Sequence, residues 1–563
     1  MNYGFVIDNR KCIGCHACTV ACKSEHDVPI GVNRTFVKQV EKGVFPDTQR
    51  MFSVLRCNHC EDAPCVTICP VTALYTREDG IVDFNNNRCI GCKSCMQACP
   101  YDALYIDPET STAAKCNYCA HRVDIGLEPA CVNICPEEAI ISGDLDNPAS
   151  KIAKTLGRHQ VTVRKPEKNT KPNLYYIDGD LSSLTASETV KGDSTLWSSQ
   201  SRGVGHYAKY AEKQASKNSQ IDYDAVNLQG MLKEKVGDTV ATWSNGEGES
   251  CASGSCGTDN HLDKALKNND ARRVYDTPDK GILWGWEVSG YVLTKAISAG
   301  VFLLLVIGYF LNSAFNQPFM TIRIEAVWTA IIIGLTFLGA TGALLVMDLD
   351  QPKRFLYVLL RPQWDSWLVK GGYSISIYGA LISFFGLAVY MEWKMVAEIT
   401  VYLTAFFAVI VAIYTAFLFA QAKGRDFWQS PTLVFHMLIH SFMAGAATYM
   451  MVDAFIEIGI SWNYFVEMVM KIAIIANLFV VLIELTITHP TTDAKKVAHD
   501  IVSGRYKQLF WFGTILMGNV IPFLIVLFIE STLMMGIAGL LVLAGIFVTE
   551  KIWIEAPQRI VLT

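Results

Sequence analysis

The stretch Cys12-Ile-Gly-Cys15-His-Ala-Cys18-Thr-Val-Ala-Cys22 places four cysteines within eleven residues, with the spacing C-x2-C-x2-C-x3-C. The same spacing recurs further along the chain and is followed there by a proline. Two more runs keep the final C-x3-C-P but have a longer insertion before it. The three later runs are Cys57, Cys60, Cys65 and Cys69; Cys89, Cys92, Cys95 and Cys99; and Cys116, Cys119, Cys131 and Cys135.

Four cysteine runs in a chain of 563 residues indicate metal ligation, because disulfide-stapled chains are short and secreted. Three close cysteines wrap one cubane 4Fe–4S cluster, and the fourth ligates the cluster of a partner run. Zinc sites use two C-x2-C pairs per metal, which these triplets do not fit. Cys12-Ile-Gly-Cys15-His16 also matches the motif for covalent haem attachment, but both cysteines already belong to a cluster-binding run. We therefore predict an α+β double ferredoxin-like domain with four 4Fe–4S clusters.

We pair the runs by spacing, so that the two compact runs exchange their fourth cysteines and the two longer runs do the same. The predicted ligand sets are Cys12, Cys15, Cys18 and Cys99; Cys89, Cys92, Cys95 and Cys22; Cys57, Cys60, Cys65 and Cys135; and Cys116, Cys119, Cys131 and Cys69. No nucleophile or general base accompanies the runs. We therefore predict that the domain carries electrons and has no catalytic residue.

Outside the cysteine runs, the composition divides the chain into domains at 1–180, 181–282 and 283–563. The middle segment is rich in Ser, Gly, Asn, Lys and Asp without a sustained apolar period, which predicts a polar linker. It contains Cys251 and Cys256, which we interpret as a redox pair, a metal-binding tip or two exposed thiols. We interpret Arg272-Arg273 as membrane-flanking charge. The N-terminus lacks an apolar h-region, so we predict no secretory signal peptide, and a net charge of −5 argues against a nucleic-acid partner.

The last segment is almost continuously apolar, and a membrane-spanning helix needs about 20 such residues. Eight predicted spans make the segment an all-α membrane bundle: 285–312, 326–347, 373–391, 399–421, 432–457, 464–489, 509–530 and 533–553. We call the membrane face that holds the cysteine domain the domain side, and the other face the opposite side.

Charge in the loops predicts the orientation. The domain-side loops carry ten basic residues: Lys353, Arg354, Arg361, Lys370, Lys423, Arg425, Lys495, Lys496, Arg505 and Lys507. The opposite-side loops carry only Arg323 and Lys394. The positive-inside rule thus predicts a multi-pass protein of the cell inner membrane with its iron–sulfur domain in the cytoplasm.

Polar residues within spans are costly and often functional. Several lie in the half of the bundle nearest the domain, where a quinone would find an apolar slot, hydrogen-bond partners and a proton route. We predict quinone binding at Tyr291, Lys295, Asp348, Arg425 and His440, with Asp348 and Arg425 paired. The alternative is a set of ordinary interhelical contacts. His436 and His440 share one helix face, whereas transmembrane haem b takes ligands from different helices.

Two resemblances extend this interpretation. The four runs and Lys171-Pro172-Asn173-Leu174-Tyr175-Tyr176-Ile177 resemble the four-cluster ferredoxin subunits of molybdopterin oxidoreductase complexes, over roughly residues 1–180. That implies that all sixteen cysteines ligate 4Fe–4S clusters. The segments Asp348-Leu-Asp-Gln-Pro352-Lys-Arg354-Phe355 and Gly424-Arg425-Asp-Phe-Trp428-Gln-Ser430-Pro431 resemble the NrfD/polysulfide reductase membrane-subunit family, over 284–555. That implies electron exchange with quinone without haem, although Lys295 stands where many members have an apolar residue.

Together these features predict an electron-transfer and membrane-anchor subunit. It would link the pool of menaquinone or ubiquinone to a separate catalytic subunit, which the resemblance implies to be of the molybdopterin type and to act on a sulfur compound. Two alternatives remain: a quinol-oxidising module that feeds multihaem cytochromes, and an ion transporter coupled to the clusters.

Overall fold

The computed structural model describes residues 1–44, 47–189, 271–276, 280–314 and 322–563. Cys251, Cys256 and most of the predicted linker lie outside the described residues.

The N-terminal domain mixes short strands and helices, which confirms the predicted α+β class. Its strands are β1 (Tyr3–Asp8), β2 (Phe36–Val44), β3 (Asp47–Leu55), β4 (Leu74–Thr76), β5 (Val82–Phe84), β6 (Tyr105–Asp107), β7 (Thr112–Ala114), β8 (Ile140–Asp144), β9 (Val161–Thr162), β10 (Leu174–Ile177) and β11 (Ala271–Tyr275). Its helices are Ala17–Glu25, Pro64–Thr67, Ser94–Ala98, Ala120–Val123, Ala130–Asn133, Lys151–Leu156 and Leu181–Leu184.

The strands pair so that distant parts of the chain meet. β1 is antiparallel to β8 and parallel to β10, which gives a four-stranded sheet in the order β8-β1-β10-β9. β2 and β3 form a long hairpin, and β4–β5 and β6–β7 form two short ones. Each short hairpin follows a cysteine run, and all four runs, which combine a loop with short helical turns, lie between strands of this domain.

Residues from both ends of the predicted linker pack on this domain. β11 pairs with β2 in the order β11-β2-β3. Arg273 is buried there and donates to the Asp276 carboxylate at 2.6 Å, while Arg272 lies 3.0 Å from the Glu41 carboxylate. The interpretation of this arginine pair as membrane-flanking charge is therefore wrong, because the pair lies on a strand of the cysteine domain and both side chains are engaged there.

The described part of the second half contains eight helices long and apolar enough to cross a membrane, as predicted. They are the first span Trp286–Asn312, the second Ile324–Met347, the third Trp367–Tyr390, the fourth Lys394–Gln421, the fifth Leu433–Asp453, the sixth Ile460–Thr486, the seventh Leu509–Phe528 and the eighth Thr532–Gln558. The seventh begins as a π-helix, Leu509–Val520, and ends as an α-helix, Ile521–Phe528. Four shorter helical segments lie in the described domain-side loops: Pro352–Arg354, Tyr357–Leu360, Asp426–Gln429 and Thr492–Val502.

The first and fifth spans form the centre of the bundle, since most of their residues are buried. Their backbones touch where Gly300 faces Gly445. A Cβ atom on Gly300 would lie 1.8 Å from the carbonyl oxygen of Ser441, so only glycine fits there. Close approach through small residues is how helices pack in lipid, where no hydrophobic effect draws them together.

The cysteine domain rests on the end of the bundle. Backbone hydrogen bonds join it to the loop after the second span, from Asp350 to Gly91 (3.4 Å) and from Gln363 to Pro70 (3.0 Å). The loop after the fourth span adds a hydrogen bond from the Gly424 N–H to the carbonyl of Gln97 at 3.1 Å. The basic loops predicted to share the domain's side of the membrane are therefore in contact with it.

Candidate electron-transfer site

The sixteen cysteines gather into four sets of neighbouring thiols. Group I is Cys12, Cys15, Cys18 and Cys135; group II is Cys22, Cys116, Cys119 and Cys131; group III is Cys57, Cys60, Cys65 and Cys99; and group IV is Cys69, Cys89, Cys92 and Cys95.

These sets correct the predicted pairing of the runs. Cys99 joins group III and Cys135 joins group I, so run 12–22 exchanges with run 116–135, and run 57–69 with run 89–99. The cause is the strand pairing: β1 leads into the first run and β8 follows the last run, and their antiparallel pairing brings those two runs together. The two middle runs are joined by the β4–β5 hairpin. Two runs with the same cysteine spacing share a local chain geometry, but that spacing does not determine which runs exchange their fourth cysteines.

Each set fits a 4Fe–4S cluster by the chemistry of its donors. Most of the thiols are buried, and burial raises the pKa of Cys18 to about 11, so a positive metal is needed to hold it as a thiolate. Backbone N–H groups point at the sulfurs, as from Ala73 to Cys69 at 3.2 Å and from Ala113 to Cys89 at 3.4 Å. Such hydrogen bonds stabilise the charge of a reduced cluster.

Two buried cations lie among the sets. Arg56 Nη1 donates to Cys131 Sγ at 3.0 Å, and its guanidinium lies 4.6 Å from the centre of the Phe5 ring. Lys115 Nζ donates to the carbonyl of Cys116 at 2.9 Å and also interacts with Cys57. Each cation therefore compensates negative charge between neighbouring groups, which favours the reduced state of clusters held there.

The four groups follow one another through the domain. Cysteine pairs that interact across neighbouring groups are Cys95 with Cys65, Cys57 with Cys116, and Cys18 with Cys131. The order is thus IV, III, II, I. Group IV faces the membrane bundle, and group I reaches the surface, where Cys15 is exposed.

An apolar cleft lies between group IV and the membrane spans. It encloses about 920 Å³, counting the part open to its surroundings. Its walls come from the cysteine domain, the first four spans and the loop after the second span, and include Cys92, Trp284, Tyr291, Asp348 and Tyr414. Trp284 Nε1 donates to the carbonyl of Cys92 at 3.2 Å, which ties the first span to group IV.

Two of the five residues predicted for quinone line this cleft, Tyr291 and Asp348. Burial raises the pKa of the Asp348 carboxyl to about 7, although Lys93 opposes the shift. Lys93 Nζ lies 4.0 Å from the Asp348 carboxylate and 3.3 Å from that of Asp350.

The other three predicted residues do not line the cleft, and Arg425 does not pair with Asp348. Arg425 donates to Gln97 Oε1 and to the carbonyls of Pro557 and Ile560, so it joins the bundle to the domain. Lys295 and His440 lie deeper, on the first and fifth spans. The position of each residue along its span predicted its depth in the membrane half nearest the domain. The direction of its side chain depends on the rotation of the helix about its axis, which the composition of a span does not determine.

Trp284 and Tyr414 were not predicted, although both line the cleft. Trp284 stacks on Trp428 with ring centres 5.6 Å apart. The sequence did contain a signal for Trp284, since it is an aromatic residue just before the first span, a position typical of the membrane interface.

The eight apolar helices and the four cysteine groups together define a multi-pass membrane protein with an iron–sulfur electron-transfer domain. Residues 277–561 match the polysulphide reductase NrfD family, and residues 48–145 match a 4Fe-4S dicluster domain. This protein belongs to the NrfD family through its membrane half, fused to an iron–sulfur electron-transfer subunit.

Relatives of the N-terminal third include proteins named as parts of reductases. It is 47% identical over 182 residues to a tetrathionate reductase subunit of Salmonella typhimurium, covering 32% of this chain and 73% of that protein. It is 43% identical over 178 residues to a polysulfide reductase chain of Wolinella succinogenes, covering 31% of this chain and 93% of that protein. It is 42% identical over 180 residues to protein NrfC of Escherichia coli, covering 31% of this chain and 81% of that protein.

Proposed function

We propose that this chain carries electrons between membrane quinone and a separate catalytic subunit through four 4Fe–4S clusters, one in each cysteine group. The observation that carries the proposal is the unbroken order of the groups from the cleft at the bundle to the exposed Cys15. Cys92 lies at the cleft wall, so an electron leaving a ring bound there enters group IV directly.

The cleft suits menaquinone or ubiquinone. Its walls are largely apolar, as the ring and isoprenoid tail require, and it lies at the end of the first four spans where lipid-soluble molecules arrive. The Tyr291 hydroxyl and the Asp348 carboxyl supply polar groups for the quinone oxygens. Asp348 at the cleft wall can orient the quinol by accepting a hydrogen bond from one of its hydroxyls.

The exposed end of group I suits a protein electron partner. Ile13 beside it is 57% exposed and Val20 is 64% exposed. We propose that another subunit docks against these side chains beside the exposed Cys15. Two of the named relatives belong to reductases of tetrathionate and polysulfide, which supports a partner subunit acting on a sulfur compound. By the resemblance of the four cysteine runs, we propose that this subunit is of the molybdopterin type.

Quinol-driven reduction of the clusters tests the proposal in the intact chain. Tyr291→Phe and Asp348→Asn should each slow the loss of iron–sulfur absorbance after quinol is added by roughly tenfold, as expected for a lost proton-transfer or orienting group. Reduction by dithionite should keep its rate, because it bypasses the cleft.

Tyr378→Phe is the matched control. Its hydroxyl is buried in the bundle and donates to the carbonyl of Ser298, away from the cleft. This variant should react with quinol at the unsubstituted rate. Unchanged rates in both cleft variants would place the quinone elsewhere.

The transporter alternative receives less support. It needs charged side chains leading to the opposite side. In the described part of that half, Asp453 accepts hydrogen bonds from Asn463 and from the N–H of Ile458, and Lys471 lies 3.7 Å from Glu467. These charges are engaged locally.

A further inference from the structure

Two histidines and two glutamates form a buried network inside the bundle. His436 Nδ1 lies 3.0 Å from a Glu484 carboxylate oxygen, and His440 Nδ1 lies 2.7 Å from Glu550 Oε1. Glu550 Oε1 is also 3.8 Å from His436 Nε2, so it connects the two pairs. All four side chains are at most 2% exposed.

Lys295 links this network to the cleft. Its ammonium donates to Thr415 Oγ1 at 2.7 Å and to the carbonyl of Ala412 at 3.0 Å, and it interacts with the charge of Glu550. Thr415 is also a polar neighbour of the hydroxyls of Tyr291 and Tyr414, both of which line the cleft. Lys295 therefore lies between the polar groups at the cleft wall and the charge of Glu550.

At its other end the network leads towards the domain side. Glu484 accepts hydrogen bonds from Thr432 Oγ1 and from Trp553 Nε1, both at 2.8 Å. Thr432 Oγ1 lies 2.5 Å from Ser430 Oγ, in the half-exposed loop between the fourth and fifth spans. The basic loops and the cysteine domain lie on this same side.

The buried charges of this network require a reason. An ionised side chain inside a membrane bundle is costly unless it is paired, and here Lys295, Glu484 and Glu550 occur together with two histidines. Both histidines also have an Nε2 atom with no hydrogen-bond partner among the described residues. A set of groups that can each hold or release a proton, with free nitrogen atoms, is suited to pass protons.

We propose that protons from quinol leave the cleft through Lys295, Glu550, His436 and Glu484, with His440 hydrogen-bonded to Glu550, and emerge on the domain side. The inference rests on the proposed quinone reaction. Oxidation of one quinol gives one quinone, two electrons and two protons; the electrons enter group IV and the protons enter this route. Electrons and protons then leave on the same face, so the reaction moves no net charge across the membrane.

The side of proton release tests the inference in lipid vesicles that contain the intact chain and menaquinol. Ferricyanide added outside cannot cross the bilayer, so it oxidises only molecules whose cysteine domain faces outwards, with two ferricyanides reduced per quinol. We expect two protons per quinol in the outer medium and no signal from a potential-sensitive dye. Acidification of the vesicle lumen with a membrane potential would overturn the inference.

Substitutions test the route itself. Glu550→Gln and Glu484→Gln should each slow quinol–ferricyanide turnover by roughly tenfold or more while leaving the quinol concentration at half-maximal rate unchanged. Addition of a small permeant weak acid such as azide should restore much of the rate, which a purely structural defect would not show. Glu550→Asp should stay active. If Glu550→Gln fails to fold, Glu484→Gln, at the domain-side end of the proposed route, still tests the route.

Tyr449→Phe supplies the matched control. It also removes a buried hydroxyl from the fifth span, one that donates to the carbonyls of Val301 and Ala326 outside the network, and should turn over normally. Normal rates in both glutamine variants would overturn the route. One equivalent of zinc at His436, His440 and Glu550, whose ligand atoms lie within 4.8 Å of one another, would overturn it in favour of a metal site. An unsubstituted chain that does not oxidise quinol would overturn the proposed function, and this inference with it.

Discussion

Cys12 shares group I with Cys135, whereas Cys99 belongs to group III, so paired substitutions can count clusters. Cys12→Ala with Cys135→Ala disables one group, and iron should fall from about 16 to about 12 atoms per chain at four iron atoms per cluster. Cys12→Ala with Cys99→Ala disables two groups and should leave about 8. Pairing by spacing gives the reverse result. Iron analysis of the purified variants, with EPR after reduction, makes the measurement.

Arg56 offers a second test at a single side chain. Arg56→Met removes a positive charge 3.0 Å from Cys131 Sγ, so the reduction potential of the group II cluster should fall. A redox titration followed by EPR measures the change. Arg50→Met, which removes the same charge from an exposed site on β3, should leave all potentials in place. An unchanged reduction potential in the Arg56 variant would show that this cation does not influence the group II cluster.

The sequence predicts that sixteen cysteines gather in fours, but it does not fix which run supplies the fourth cysteine of each set. C-x2-C-x2-C is a local pattern that shapes one loop, whereas the fourth cysteine comes from a run that a distant strand pair delivers. Asp348 and Arg425 show the same limit in the membrane, since both lie at the predicted level yet contact different groups.

At the level of elements, the loop around Gly91 joins group IV to the bundle. Gly91 has φ +71°, and a Cβ atom there would lie 2.7 Å from the Asp350 Cβ. Gly91→Ala should therefore destabilise the loop by about 1–2 kcal/mol, the cost of a left-handed conformation, and also push the domain from the cleft. We expect a lower melting temperature and markedly slower quinol-driven cluster reduction.

Gly126→Ala separates these two effects. Gly126 has φ +80° but no atom within 4 Å of the added Cβ. This variant should lose a similar amount of stability and keep its quinol rate. Equal quinol rates in the two variants would mean that the Gly91 contact does not control the cleft.

Long apolar helices were predictable because a run of about 20 apolar residues has few other uses. Their ends were less so. The third span starts at Trp367, six residues before the predicted start. The prediction missed its first turn because that turn carries the charged Lys370, whose ammonium lies 4.7 Å from the centre of the Trp367 ring. β11 escaped prediction because its partner β2 lies more than 200 residues away.

For the whole molecule, the placement of the domain side in the cytoplasm is open to direct measurement. Cysteine introduced at the exposed Lys394 lies on the opposite side, and cysteine at the exposed Lys495 lies on the domain side. In cells with a permeabilised outer membrane, an impermeant maleimide should label Lys394→Cys above the unsubstituted background and leave Lys495→Cys at background. The reverse pattern would place the iron–sulfur domain outside and favour electron delivery to multihaem cytochromes.

The return of the chain through β11 to the sheet of β2 and β3 has a consequence for gene architecture. Because β11 is held by β2 before the chain enters the membrane, both halves keep their contacts whether or not the stretch between residues 189 and 271 is continuous. The first third of this chain also matches 93% of the polysulfide reductase chain of Wolinella succinogenes, so a comparable unit exists elsewhere as its own polypeptide. Two open reading frames, divided within that stretch and co-expressed, should therefore yield a complex that co-purifies and reacts with quinol. Loss of the iron–sulfur half during purification would show that the covalent link is needed to keep the two halves together in a one-to-one ratio.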